Sequence, residues 1–390
     1  MNKRRYLAPS RLQLARGLRG LTKRALAEAV GRTPMALSGY ENGDYSPAPE
    51  VVEELARALA FPPPWFEADD LSLVHPHSLT FRCQSRMSAG LRDRAARHWD
   101  LAALLAAHLR DQFNLPTLQL PDLSDEAANP ERAARALRDE WRLGHEPVEH
   151  FIGLLESKGV LVFWSDIDAR TVDAYGHWDD DSPIMVLNAH QAAADRARFN
   201  AAHELGHLVL HHDALAGQNI VEEVDGEKRQ QLEIEANRFA SAFLMPEAAW
   251  LDVAPMQPVP EAFLDLKEAW GVSVAAQIRR NYDLELFSKD QYERAMTRLT
   301  VKGWRTQEPE LVEAETSIVH RKVLESLQSE RRSAENLADE LHLSPVDLFT
   351  LMPLAREFSR PQKTKREFRH FGKVEPKGNV IQLNDRREAA

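Results

Sequence analysis

Residues 195–212 read DRARFNAAHELGHLVLHH, and the organisation of the chain turns on how that run is taken. Phe199, Ala202, Leu205, Leu208 and Val209 recur at helical spacing, with no Pro and a single Gly, which predicts a buried helix. On that helix His203-Glu204-Leu205-Gly206-His207 sets two imidazoles four residues apart, one turn above the other on one face. Both can bind one Zn²⁺, and the intervening Glu204 can act on water that the ion activates: the pattern of a zinc peptidase. So short a pattern also arises by chance, and its surroundings have to decide.

A catalytic zinc needs a third protein ligand. A metzincin would carry a Gly three residues after the second His and another His three further on; Leu210 and Asp213 stand there and exclude that subclass. Residues 230–245, QQLEIEANRFASAFLM, offer a carboxylate on a second helix. Glu233 and Asn237 lie one turn apart on one face beside small Ala236 and Ala240, while Leu232, Phe239 and Phe243 point towards a core. The small neighbours would let the two helices approach closely. On this reading Glu233 is the third ligand and Asn237 orients a zinc histidine. Glu235, about 200° further round the helix, competes for the ligand role and otherwise reads as a solvated glutamate.

HELGH followed by E-x-x-A-N-R-F-A-x-x-x-L-M-P at 233–246 resembles the ImmA/IrrE family of bacterial metallopeptidases, a likeness that spans residues 150–250. The resemblance implies His203, His207 and Glu233 as zinc ligands and Glu204 as catalytic base. It also implies a substrate class, the helix-turn-helix repressors of mobile-element, stress and defence circuits.

The chain has 390 residues, 43% of them hydrophobic, enough for two or three domains with real cores. No run approaches the about 20 apolar residues needed to span a bilayer, and no apolar stretch follows the basic start MNKRRY, so a cytoplasmic location is expected. One Cys, Cys83, excludes an internal disulfide framework. As a thiolate it could cap the zinc as a latch; the plainer reading is a small buried hydrophobe. Residues 1–65 carry a net charge of +4 and residues 356–390 a net +5, so the total of −11 leaves −20 for the middle. Basic ends around an acidic body point to nucleic-acid contact at the ends.

Near the N-terminus, Thr22 precedes KRALAEAV, Gly31 stops that helix, and Thr33-Pro34 starts another that runs to Tyr40-Glu41-Asn42-Gly43. The order of these residues, with Pro47 and LARAL at 55–59, resembles a Xre/Cro-type helix-turn-helix DNA-binding domain. By that likeness Thr33, Met35 and Ser38 enter the major groove, and Lys23, Arg24 and Arg32 are phosphate contacts. Met35, Ala36 and Gly39 give this helix few hydrogen-bonding groups, so a domain kept for dimerisation or for docking a repressor is the competing reading. The Pro run at 62–64 reads as a stiff linker, and residues 71–86 as an extended strand ending in a turn.

Helices are predicted at 88–113, 129–143 and 148–158, and strand-like runs at 159–164, 175–178 and 184–187 give a small mixed sheet just ahead of the zinc helix. Met185, Val186, Leu187 and Asn188 are the candidate cleft edge to which a peptide substrate would add as a strand. The acidic tip Asp179-Asp180-Asp181 would favour a basic substrate segment or simply be a solvated turn. His177 and His190 are alternatives for stabilising an oxyanion. Residues 333–351 repeat a helix, turn and helix, either a second DNA-binding unit or a packing and sensing module.

The expected fold is mainly α with a small mixed β-sheet, a zincin-like α+β domain. The expected domains are a helix-turn-helix domain at 1–66, a linker at 67–87, the peptidase domain at 88–250, a helical module at 251–357 and a basic, disordered tail at 358–390. The expected function is a Zn²⁺-dependent endopeptidase that cleaves a helix-turn-helix repressor to switch on an operon. Double-stranded DNA is a further expected partner, a homodimer an option, and a membrane none. The alternative is a DNA-binding regulator whose peptidase-like domain senses or docks.

Overall fold

The computed structural model describes residues 7–79, 87–167, 172–179, 182–189, 194–211, 226–305, 307–309 and 312–359. Cys83, His190, Asp180, Asp181 and the tail from 360 lie outside the described residues.

Five helices open the chain: α1 Pro9–Leu18, α2 Lys23–Ala29, α3 Pro34–Asn42, α4 Pro49–Leu59 and α5 Pro63–Glu67. The Thr22 hydroxyl accepts from Ala25 N at 3.1 Å and Thr33 from Ala36 N at 3.2 Å, so both members of the helix-turn-helix begin on the threonine caps that the sequence predicts. Gly43 closes α3 in the left-handed region. The Pro run is not a linker. Its prolines occupy the first turn of α5, where a missing N–H costs nothing, and Trp65 and Phe66 behind them are fully buried. Residues 71–79 hold a turn at 76–78 and no strand.

Next come α6 Ala89–Gln112, α7 Pro130–Glu140 and α8 Phe151–Ser157, then β1 Leu161–Ser165, β2 Ala174–Asp179 and β3 Ser182–Asn188. The sheet order is β1-β3-β2, with β3 parallel to β1 and antiparallel to β2. Side chains alternate between its faces. Leu161, Phe163, Tyr175, Ile184 and Val186 join a core with α1 to α6 and with three C-terminal helices, α15 Ile318–Ser329, α16 Ala334–Glu340 and α17 Pro345–Leu351. Val162, Ala174, Met185 and Leu187 join a second core with α7, α8, α9 Ala194–Leu210, α10 Gly226–Leu244 and residues 250–299. That second core is continued by α11 Glu247–Val253, α12 Leu264–Trp270, α13 Val274–Asp283 and α14 Lys289–Val301. The chain up to Ser359 clusters as one compact unit.

One expectation is overturned by the strand order. Met185 to Asn188 cannot receive a substrate strand, because β3 is the central strand and both its edges are paired. All four residues are buried, and the Asn188 amide donates inside the fold, to Ile167 O at 3.0 Å and Val172 O at 2.7 Å. The sheet edge beside the zinc-motif helix belongs to β2.

Candidate metal centre and DNA-binding face

His203 and His207 project from α9, Glu233 from α10, and the two helices meet at Gly206. A Cβ added at Gly206 would lie 3.2 Å from Ala236 Cα and 3.1 Å from the Phe239 ring. The small residues at 206 and 236 therefore bring the two helices together, as the neighbours of Glu233 predict. Among the described residues one group of His, Cys, Asp or Glu side chains converges closely enough to hold a metal: His203, His207 and Glu233. The imidazole Nε2 atoms are 3.1 Å apart. Glu233 places one oxygen 3.3 Å from His203 Nε2 and the other 3.4 Å from His207 Nε2. Tetrahedral donors about 2.0–2.1 Å from a zinc ion stand about 3.3 Å from one another, the range in which each imidazole nitrogen meets the other and its nearer Glu233 oxygen.

Both histidines are buried, and Glu233 is 30% exposed on the open side of the cluster. Burial raises the Glu233 carboxyl, but hydrogen bonding and charge attraction from His203 and His207 together outweigh it and hold it below the usual carboxylate range. Asn237 donates its amide N–H to Glu233 O at 2.7 Å, which turns its oxygen towards His203 Nδ1 at 3.2 Å. That nitrogen then carries the proton, and His203 Nε2 keeps its lone pair for the cluster.

Glu204 is fully buried and accepts a hydrogen bond from Gly176 N on β2 at 3.0 Å. Gly176 faces Met185 across the β2–β3 ladder in a pair that does not exchange hydrogen bonds, so its N–H points out of the sheet edge towards α9. The next residue, His177, must point to the opposite face. It packs edge-on against Trp99 of α6, and burial pushes it down to about 4. His177 is thus turned away from the cluster, which removes it as a candidate for oxyanion stabilisation.

Two further residues adjoin the cluster. His211 Nδ1 lies 2.8 Å from His207 Nδ1, and its Nε2 lies 3.0 Å from Glu235, which also accepts from Gln231 at 2.8 Å. Burial, then the charges of His207 and His203, push His211 down to about 3. Glu235 is therefore neither a ligand nor solvated. The signal for His211 was present in the sequence: it continues the row of His203 and His207 by one more turn.

In and around α2 and α3, Met35 is 81% exposed, and Arg24, Arg32 and Thr33 are exposed as well. Ser38 is half-buried. The three basic candidates already have acidic partners: Lys23 with Glu41 at 3.3 Å, Arg24 with Glu28 at 2.9 Å and Arg32 with Glu54 at 2.9 Å. Phosphate contact would require exchanging those partners, an easy exchange at the exposed Arg24–Glu28 pair.

Residues 155–281 match the IrrE N-terminal-like domain, a peptidase family, and residues 10–67 match a helix-turn-helix domain. No curated protein matches the chain. A solved structure of a Mycobacterium tuberculosis transcriptional regulator is 19% identical, with a TM-score of 0.29, over 45% of this chain and 51% of that one. The chain therefore spans about half of that regulator's length, too slight a likeness to bear on fold or function. Among the described residues no helix is long and apolar enough to cross a membrane. Capped tandem helices at one end and a His-His-Glu cluster on paired helices in the middle thus agree with the sequence matches: the chain joins an N-terminal helix-turn-helix domain to an IrrE N-terminal-like domain.

Proposed function

We propose that this protein is a zinc-dependent endopeptidase acting in transcriptional control, and that it cleaves a helix-turn-helix repressor or partner to switch on an operon. The observation that carries this reading is the His203–His207–Glu233 cluster, in which the two Nε2 atoms are 3.1 Å apart and the two Glu233 oxygens lie 3.3 Å from one and 3.4 Å from the other, with Glu204 between the two histidines in sequence. His203, His207 and Glu233 would hold the ion, which when bound supplies the Lewis acidity that makes water a nucleophile near neutral pH. Glu204 takes the proton of the attacking water and passes it to the leaving amine. The Gly176 N–H keeps the Glu204 carboxylate from rotating away. An extended substrate would run along the outer edge of β2, with which no other strand pairs among the described residues.

The test is co-expression with any helix-turn-helix repressor encoded beside this gene, comparing the wild type with Glu204→Gln on a gel. Cleavage by the wild type alone, with equal zinc in both proteins, supports the reading; cleavage by both excludes Glu204 from the chemistry. A second reading, a DNA-binding regulator that uses the metal domain to sense or dock, is favoured by the way α1 to α5 share a core with the sheet and the C-terminal helices. Operator binding without proteolysis of the neighbouring repressor would select it.

A further inference from the structure

We propose that His211 and Glu235 are positioning residues that hold His207 in the one tautomer able to bind the metal. The inference rests on the metal centre put forward above and extends it by a second layer. His203 has its own orienting partner in Asn237, and His207 needs an equivalent. His211 lies on the same helical row one turn beyond it, at 2.8 Å from its Nδ1. A neutral imidazole has one N–H and one lone pair, and a carboxylate only accepts. Glu235, 3.0 Å from His211 Nε2, therefore fixes the His211 proton on Nε2 and leaves a lone pair on Nδ1. That lone pair must accept from His207, so the His207 proton sits on Nδ1 and its Nε2 is bare. Nε2 is the atom that faces His203 and Glu233.

With the opposite polarity, His207 would carry its proton on Nε2, against a metal ion. The two acids of α10 thus divide the work: Glu233 closes the metal triangle and Glu235 anchors the relay behind it. Gln231, one turn earlier on α10, donates to the other Glu235 oxygen at 2.8 Å and steadies that anchor. The relay is largely buried, with His211 side-chain exposure of 2% and Glu235 of 13%. Water cannot readily substitute for either member.

The test measures zinc affinity by chelator competition, together with the visible spectrum of the cobalt-substituted protein, in full-length wild type, His211→Ala, Glu235→Ala, the double variant and Glu235→Gln. Loss of orienting partners of this kind weakens metal binding by about 10- to 100-fold. The single variants should each show such a loss, and the double variant should lose no more than the worse single one, because the residues act in series. Glu235→Gln keeps an acceptor oxygen and should recover most of the affinity. Thermal melting of the metal-free proteins separates this from simple unfolding: a lowered melting temperature with wild-type zinc affinity overturns the proposal, as do losses that add in the double variant. A wild-type chain that binds no zinc overturns the metal centre and this inference with it. Wild-type affinity in every variant overturns the inference alone.

Discussion

At the scale of single residues, the proposed chemistry separates two carboxylates that the sequence sets on different helices. Glu233 touches both imidazoles, whereas Glu204 bonds to the β2 backbone. Glu233→Ala should therefore abolish zinc retention through dialysis, while Glu204→Gln should retain zinc and lose about 10²- to 10⁴-fold in cleavage rate, the range of general-base catalysis. Metal content beside a single-turnover rate checks the pair. A Glu233→Ala protein with full zinc would mean that another acid takes its place. Spacing alone puts His203 and His207 on one helical face, with Glu204 beside them, and Glu233 and Asn237 on a face of another; that the two faces meet is seen only in the packed helices. Glu235 was harder to read: a wheel turns it away from Glu233, and only the packed helices show that His211 meets it there.

Elements raise the question of fit. Gly in a helix interior ordinarily costs about 1 kcal/mol relative to Ala, so Gly206→Ala would stabilise an isolated α9. In the folded protein the new methyl group would sit 3.2 Å from Ala236 Cα and 3.3 Å from Ala236 O, backbone atoms that cannot rotate aside. Overpacking of this kind costs about 1–3 kcal/mol, so the substitution should lower stability and zinc affinity together, because moving α10 moves Glu233. Denaturant titration and chelator competition on one preparation test this, and a stabilised variant with unchanged zinc affinity would show that the helices are not held apart by Cβ atoms.

A second prediction belongs to α8 and α15. Glu156, at the end of α8, accepts from Ser317, Ile318 N and Val319 N, and so caps the start of α15. Burial pushes its carboxyl up from 4.5 to about 7 against those hydrogen bonds. The folded chain then keeps a proton that the unfolded chain releases earlier. Stability from this group is fully present below about 4.5 and is lost as the pH rises through about 7. Glu156→Gln should flatten the fall in stability between pH 5 and about 8; an unchanged slope in denaturant melts would assign that fall to other groups. Nothing local in the sequence announces this contact, since Glu156 and Val319 lie 163 positions apart. The same nonlocality hid the place of β3: its apolar run is plain, but which strand lies between the others depends on pairing that short-range pattern does not encode.

At the scale of the whole compact unit, its first helices and its last are tied to each other. Arg19, just after α1, makes two hydrogen bonds with Asp347 of α17, at 2.6 and 2.8 Å, and also donates to Leu59 O at 2.8 Å. Paired bonds between charged groups, with the Asp347 side chain only 9% exposed, place the loss for Asp347→Ala at about 1.5–3 kcal/mol. Chemical denaturation checks the figure, and limited proteolysis should show earlier cuts in both the N-terminal helices and the last three. An unaltered midpoint would make the contact incidental. The separate helix-turn-helix and C-terminal modules that composition suggests meet here through one shared core.

The three strands have a wider consequence. Each of their two faces is the floor of a different core, one shared with the N-terminal helix-turn-helix region and one with the helices that carry His203, His207 and Glu233. A shortened chain covering only 88–250 would retain HELGH and Glu233 yet leave Phe163, Tyr175 and Val186 without the N-terminal and C-terminal helices that roof them. Such a fragment should be sticky and bind hydrophobic dyes where the intact protein does not.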